Sequence, residues 1–155
     1  MHEFYESFYN RLQDLHEGVS EAIADLPIEA LDWVPAPSLN SITVLVVHLT
    51  GAERYWIGDV AGQDPSGRVR SEEFKTHGLQ TAELQERLQQ TLTHSHTILQ
   101  QLTLQDLEAP RLSSRDGSMV SVAWALNHAL EHTAVHLGHI QIARDLWQAG
   151  FANPL

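Results

Sequence analysis

The sequence contains no cysteine. That excludes disulfides, thiolate metal ligands and a cysteine nucleophile, and a reducing, cytoplasmic setting is expected. Cations are scarce. Nine Lys and Arg against twenty Asp and Glu give a net charge of −11 with His neutral. Nucleic-acid affinity is built from Lys/Arg clusters on phosphates, so no nucleic-acid partner is expected. Long apolar runs are missing as well. Val44-Leu45-Val46-Val47 stops at His48, far short of the ~20 residues of a membrane span. The acidic start, Met1-His2-Glu3-Phe4-Tyr5-Glu6, has no apolar signal-peptide core, so neither export nor a membrane is expected. Strand-type alternation is weak throughout, apart from room for a short hairpin around 110–120.

What remains is a globular composition, 43% hydrophobic and 19% charged, in 155 residues. That length suits one domain over 1–155. Histidine is the outlier: ten of them outnumber the nine strong cations.

Four stretches read as helices. Over 3–25, Phe4, Phe8, Leu12, Leu15, Val19, Ile23 and Leu26 recur at three- and four-residue steps, and Pro27 limits the end. A Pro-containing connection, 27–40, leads to Asn40 or Ser41 as an N-cap. The second helix, 41–61, carries Leu45, Leu49, Ala52, Trp56 and Val60 on one face, with Gly62 as its stop. Residues 62–80, rich in Gly, Pro, Ser and charge, read as a loop. The third helix, 81–103, has Thr81 as a cap candidate and Leu84, Leu88, Leu92, Ser95, Leu99 and Leu102 on its core face. Residues 104–118 form a second long connection with Pro110 and the turn Arg115-Asp116-Gly117. The fourth helix spans 119–148. Four helices of this length with these loops point to an all-α four-helix bundle.

The fourth helix carries His128, His132, His136 and His139. Four residues advance a helix by one turn plus ~40°, so 128, 132 and 136 form a steep stripe and any adjacent pair can meet one ion. A third ligand has to come from another helix. His48 is the best placed, because its helical neighbours Leu45, Leu49, Ala52 and Tyr55 are apolar or aromatic and a buried imidazole needs a polar partner. Three His from two helices leave a coordination position open, the pattern of a catalytic site. His2, His16, His77, His94 and His96 are expected at the surface or in support. His128-Ala129-Leu130-Glu131-His132 also matches H-x-x-E-H, the inverted zinc-protease pattern. That pattern needs a carboxylate ligand later in the chain. Only Asp145, on the same helix, follows Glu131, so proteolysis is rejected. Glu131 itself lies ~100° around the helix from His132 and is not expected to be a ligand.

Two stretches resemble the DinB-like superfamily. Pro37-Ser38-Leu39-Asn40-Ser41-Ile42, followed by His48-Leu49 and Glu53-Arg54-Tyr55-Trp56, is similar to its second-helix region. Glu131-His132-Thr133-Ala134-Val135-His136-Leu137-Gly138-His139-Ile140 is similar to its closing HxxxH motif, with His139 where that motif usually has Gln. The resemblance covers essentially the whole chain. It implies an up-down-down-up bundle with long connecting loops, homodimeric, with His48, His132 and His136 as ligands to a divalent metal. Zinc or nickel is expected and iron is admissible, since three nitrogens without a thiolate do not separate them. His128 and His139 flank this set.

Relatives of known activity imply a low-molecular-weight-thiol S-transferase acting on a small-molecule substrate, with the thiol as cofactor. The alternatives are a metal-dependent hydrolase of a small substrate or a metal- or ligand-binding module without turnover. A plain helical interaction protein, which would hold no metal at all, is the remaining competitor. Tyr55, Trp56 and Trp124 are candidates for the pocket wall, with ordinary core packing the expectation for Trp124. Loops 62–80 and 104–118 carry no motif that names a ligand.

Overall fold

The computed structural model describes residues 1–152. Glu3–Ile23 forms α1, Ile28–Leu31 a single turn α2, and Ile42–Glu53 forms α3, which runs on as a π-helical segment over Arg54–Ala61. Arg70–Glu73 is a short α4 inside the connection read as a loop. Thr81–Gln101 forms α5, and a 3-10 turn over Leu104–Glu108 follows it. Strands β1 (Pro110–Leu112) and β2 (Met119–Ser121) pair antiparallel, with Arg111 opposite Val120. Val122–Gln148 forms α6. The hairpin takes the first residues assigned by pattern to the fourth helix.

Local chemistry sets the ends. Ser41 Oγ accepts from Val44 N at the start of α3, and Ser121 Oγ accepts from Trp124 N at the start of α6. At α5 the reciprocal bond comes from Glu83, which accepts from Gln80 N at 2.8 Å, so Gln80 rather than Thr81 is the cap. Gly62 N reaches back to Ile57 O at 2.9 Å and closes the π-helical turn. Gly58 leaves room within that turn for the Arg54 guanidinium, which a Cβ there would displace.

The four long helices pack as a ring: α1 lies against α5 and α6, and α3 lies against α5 and α6. Helix α3 touches two long neighbours and the α4 segment, so it is buried nearly all round, Ile42 through Thr50 without a break. The core falls into two apolar clusters. One gathers Tyr5, Phe8, Leu12, Trp56, Leu99 and Leu126; the other gathers Val19, Ile23, Leu45, Leu49, Leu84 and Ile140. On α1 the break between them falls between Leu12 and Val19, and His16 sits in it. On α6 it falls between Ala129 and Ile140, where His132, Thr133 and His136 sit.

Three residues lie elsewhere than their sequence positions suggest. Phe4 faces solvent, and Tyr5 takes the core position instead, with its hydroxyl donating to Thr103 O at 2.7 Å. His16 is buried, not at the surface: its Nε2 meets Glu53 Oε2 at 2.6 Å and its Nδ1 meets Leu88 O at 3.2 Å. Trp124 is 47% exposed, because among the described residues no element covers that side of α6.

Candidate metal centre

Helix α3 presents His48 toward α6, and α6 presents His132 and His136 one turn apart. The structure brings these three together. One ligating nitrogen from each lies within 4.8 Å of the others. His48 is buried and the α6 pair is half-buried. His132 Nε2 and His136 Nε2 face each other at 3.2 Å. Two imidazoles sharing a tetrahedral zinc at ~2.05 Å have nitrogens about 3.3 Å apart, so this spacing fits a common ion.

The electrostatics fit as well. Burial and the neighbouring imidazoles of His136, His48 and His128 push His132 down to about 3. Burial, then His48 and His139, push His136 down to about 4. Both rings are therefore neutral at pH 7 and offer lone pairs, as metal ligands must. Among the described residues, His132 Nδ1 is buried without a hydrogen-bond partner. With both nitrogens unable to find protein partners apart from another imidazole, the ring is left unsatisfied by the chain alone.

His139 touches the set only through His136, Nδ1 to Nδ1 at 3.4 Å, and it is exposed. His128 stands further along α6, its ring centroid 6.0 Å from that of His132. It stacks on Trp124 (4.8 Å, 9° between planes) and meets Trp56 edge-on at 4.8 Å. Burial lowers its pKa. Trp56, His128 and Trp124 thus form an aromatic wall running from the triad to solvent. Tyr55 lies behind it. Its hydroxyl sits 3.2 Å from both Ser113 Oγ and Ser114 Oγ and accepts from Arg115 N at 3.0 Å. That bonding outweighs burial and lowers its pKa, and it fastens the 113–115 turn to the end of α3.

Sequence patterning missed three residues at the centre. Glu73 Oε2 lies 2.8 Å from His48 Nδ1, and Arg68 donates to Glu73 through Nε at 2.5 Å and Nη2 at 2.8 Å. Burial acts to raise the Glu73 pKa, but the hydrogen bonds from Arg68 and His48 prevail and lower it. The third is Gly51, whose missing side chain leaves the space that the Glu73 carboxylate occupies. Gly51 was the one legible signal, a glycine inside an apolar helix with no turn to make. Arg68 and Glu73 carried none, since their segment has no periodic pattern. A cleft of about 580 Å³ opens between α3, α5 and the 66–76 segment. Arg68 and Glu73 line it, but none of the three histidines does.

A family model described as mycothiol-S-transferase matches residues 8–149. No curated protein matches the chain. Among solved structures, a conserved protein from Enterococcus faecalis is similar at 17% identity with a TM-score of 0.74, over 96% of this chain and 99% of that one. At that identity the likeness speaks for the fold alone. The fold is DinB-like and all-α, as the sequence resemblance implies.

Proposed function

Because the chain belongs to the mycothiol-S-transferase family of DinB-like proteins, we propose that it is a metal-dependent S-transferase. In this reading one divalent ion sits on His48, His132 and His136, and a low-molecular-weight thiol is joined to a small electrophile. The observation that carries the reading is the convergence of three imidazoles from α3 and α6 on one point, two of them held neutral well below pH 7. When bound, such an ion supplies Lewis acidity that stabilises the anion of a thiol or of water at neutral pH. Zinc and nickel suit three nitrogen donors without a thiolate.

The chain's own residues do the rest. His132 and His136 present unprotonated nitrogens from one helical face. Trp56, His128 and Trp124 close one side of the site to water and give a flat surface against which a small electrophile can lie. A hydrolase needs a base for water. Among the described residues the only carboxylate hydrogen-bonded to a triad histidine is Glu73, and Arg68 already occupies both its oxygens. This supports transfer of a thiol over hydrolysis. We further read the protein as cytoplasmic. The exposed α6 residues Trp124, Val135 and Ile142 are taken as the contact face of a homodimer.

Elemental analysis of untagged protein is expected to find one zinc or nickel per chain, lost in His48→Ala and in His132→Ala. The loaded protein should then consume a low-molecular-weight thiol in the presence of a haloalkyl electrophile, and the metal-free variants should not. Metal retained in either variant removes that residue from the site. Full loading without thiol consumption leaves a binding module rather than an enzyme.

A further inference from the structure

We propose that Glu73 is the positioning residue of this centre: it fixes His48 as the Nδ1–H tautomer, so that Nε2 carries the lone pair offered to the ion, and Arg68 and Gly51 hold Glu73 in place. The inference rests on the reading of His48 as a metal ligand.

His48 Nδ1 and Glu73 Oε2 are 2.8 Å apart, and both side chains are buried. Arg68 grips the same carboxylate by Nε to Oε1 and by Nη2 to Oε2. A guanidinium fork of this kind pairs with an ionised carboxylate, which has no proton to give. The hydrogen between Glu73 and His48 therefore belongs to the imidazole Nδ1. In the neutral ring the lone pair is then on Nε2.

The placement of Glu73 depends on an absence in α3. Gly51 follows His48 by three residues and so lies on nearly the same helical face. A Cβ at 51 would overlap Glu73 Oε1 and crowd Arg68 Nε, which would come within 3.2 Å. An L side chain there forces the carboxylate to move from its place beside the His48 ring. The α4 segment is pressed onto α3 by Phe74, whose ring centroid is 4.9 Å from that of His48. Arg70 covers the outer face of Phe74 at 4.7 Å. The connection that looked structureless in sequence thus delivers a carboxylate to the back of a ligand. Such carboxylate–histidine pairs orient the ring and raise its basicity, and their loss typically costs about 10–100-fold in metal affinity.

Two measurements test this on the full chain. Chelator-competition titrations with zinc compare the wild type with Glu73→Ala, Glu73→Gln, Gly51→Ala and His132→Ala. Glu72→Gln, an exposed neighbour paired with Lys75, is the control. Long-range 1H–15N correlations of the metal-free proteins read the His48 tautomer directly. Glu73→Ala and Gly51→Ala are expected to bind zinc about 10–100-fold more weakly and to give His48 a mixed tautomer. Glu73→Gln, whose carbonyl still accepts from Nδ1–H, should keep the tautomer and lose less affinity. Glu72→Gln should match the wild type. If the wild type binds one ion, His132→Ala loses it and Glu73→Ala stays within about twofold (against the 10–100-fold typical of such pairs), the inference is overturned and the metal reading stands. Wild type and His132→Ala binding zinc equally would overturn the metal reading and the inference with it. Should Glu73→Ala fail to fold, Gly51→Ala and Glu73→Gln still decide the question, since both leave Arg68 with a buried polar partner.

Discussion

His132 shows how an environment tunes a single residue. Water is largely withdrawn from its ring, and its nearest polar neighbours are other imidazoles, which resist a second positive charge. The ordinary histidine value is 6.5; His132 falls to about 3 and His136 to about 4. In the unfolded chain both take up a proton as the pH drops through 6.5, whereas in the fold they do so only near 3 and 4. The unfolded state therefore binds more protons throughout that window. Stability from these two groups is complete above about pH 6.5 and is lost progressively as the pH falls toward 3. The urea midpoint of the metal-free protein is expected to drop across this range, and His132→Gln should flatten the dependence. An unchanged slope in that variant would mean that His132 is not held neutral by the fold.

At the scale of elements, the bundle is divided by polarity. Helices α1, α3 and α5 meet at His16, Glu53 and Ser95, all buried, with Ser95 Oγ donating to Glu53 Oε1 at 2.7 Å. This network shares Glu53 with the turn at which α3 changes to π-helical winding. It lies between the two apolar clusters, near the level at which α6 carries the triad. Such a network fixes how far one helix slides along the next, since a shift of one turn would strand a buried carboxylate. His16→Ala leaves Glu53 buried without its closest partner, for which the expected cost is ~3–5 kcal/mol. Denaturant unfolding reads that loss, and metal stoichiometry should stay at the wild-type value, because His16 touches no member of the triad. A cost near zero would show that water or Ser95 alone satisfies the carboxylate. The hairpin and α4 play a different part. Neither adds much core, but each brings side chains to the triad end of α3, Ser113 and Ser114 to Tyr55 and Glu73 to His48.

At the scale of the whole molecule, α6 carries apolar residues on both its inner and its outer sides. Val122, Leu126, Ala129 and Ile140 are buried, while Trp124, Val135 and Ile142 are exposed. Trp124, Val135 and Ile142 recur at steps of eleven and seven residues, so they fall on one face of the helix and form an exposed apolar stripe. Beside Val135 and Ile142, Gly138 has open space where a side chain would stand, which leaves room for close approach of another helix. Sedimentation equilibrium is therefore expected to show a dimer, and Ile142→Glu to shift it to monomer with metal content retained. A wild-type monomer at high concentration would remove the dimer from the proposal. No helix among the described residues is long and apolar enough to cross a membrane, in agreement with the sequence expectation.

Sequence alone determined the helical periods, narrowed the cap of the second helix to Asn40 or Ser41, and marked the core face of the third helix, whereas the Ser121 cap appears only once the hairpin takes residues 119–121. The periods and that face depend on nearest neighbours along one helix, and spacing reports them directly. Local pattern also marked His48, an imidazole on an apolar face, and the one-turn pairs among His128, His132 and His136, while the choice of His132 and His136 came from the resemblance to the DinB-like closing motif. The tertiary structure decided everything set by which helix meets which. Phe4 and Tyr5 are adjacent and both aromatic, and only the angle of α1 against its neighbours puts Tyr5 inside. His16 looked like a surface residue until α3 placed Glu53 against it. Trp124 looked like core until the ring of four helices left that side of α6 uncovered. Glu73 and Arg68 lie in a segment without periodicity, so no pattern could reach them. Their position at the back of His48 follows from Gly51, a missing side chain whose consequence appears only when another part of the chain folds over it.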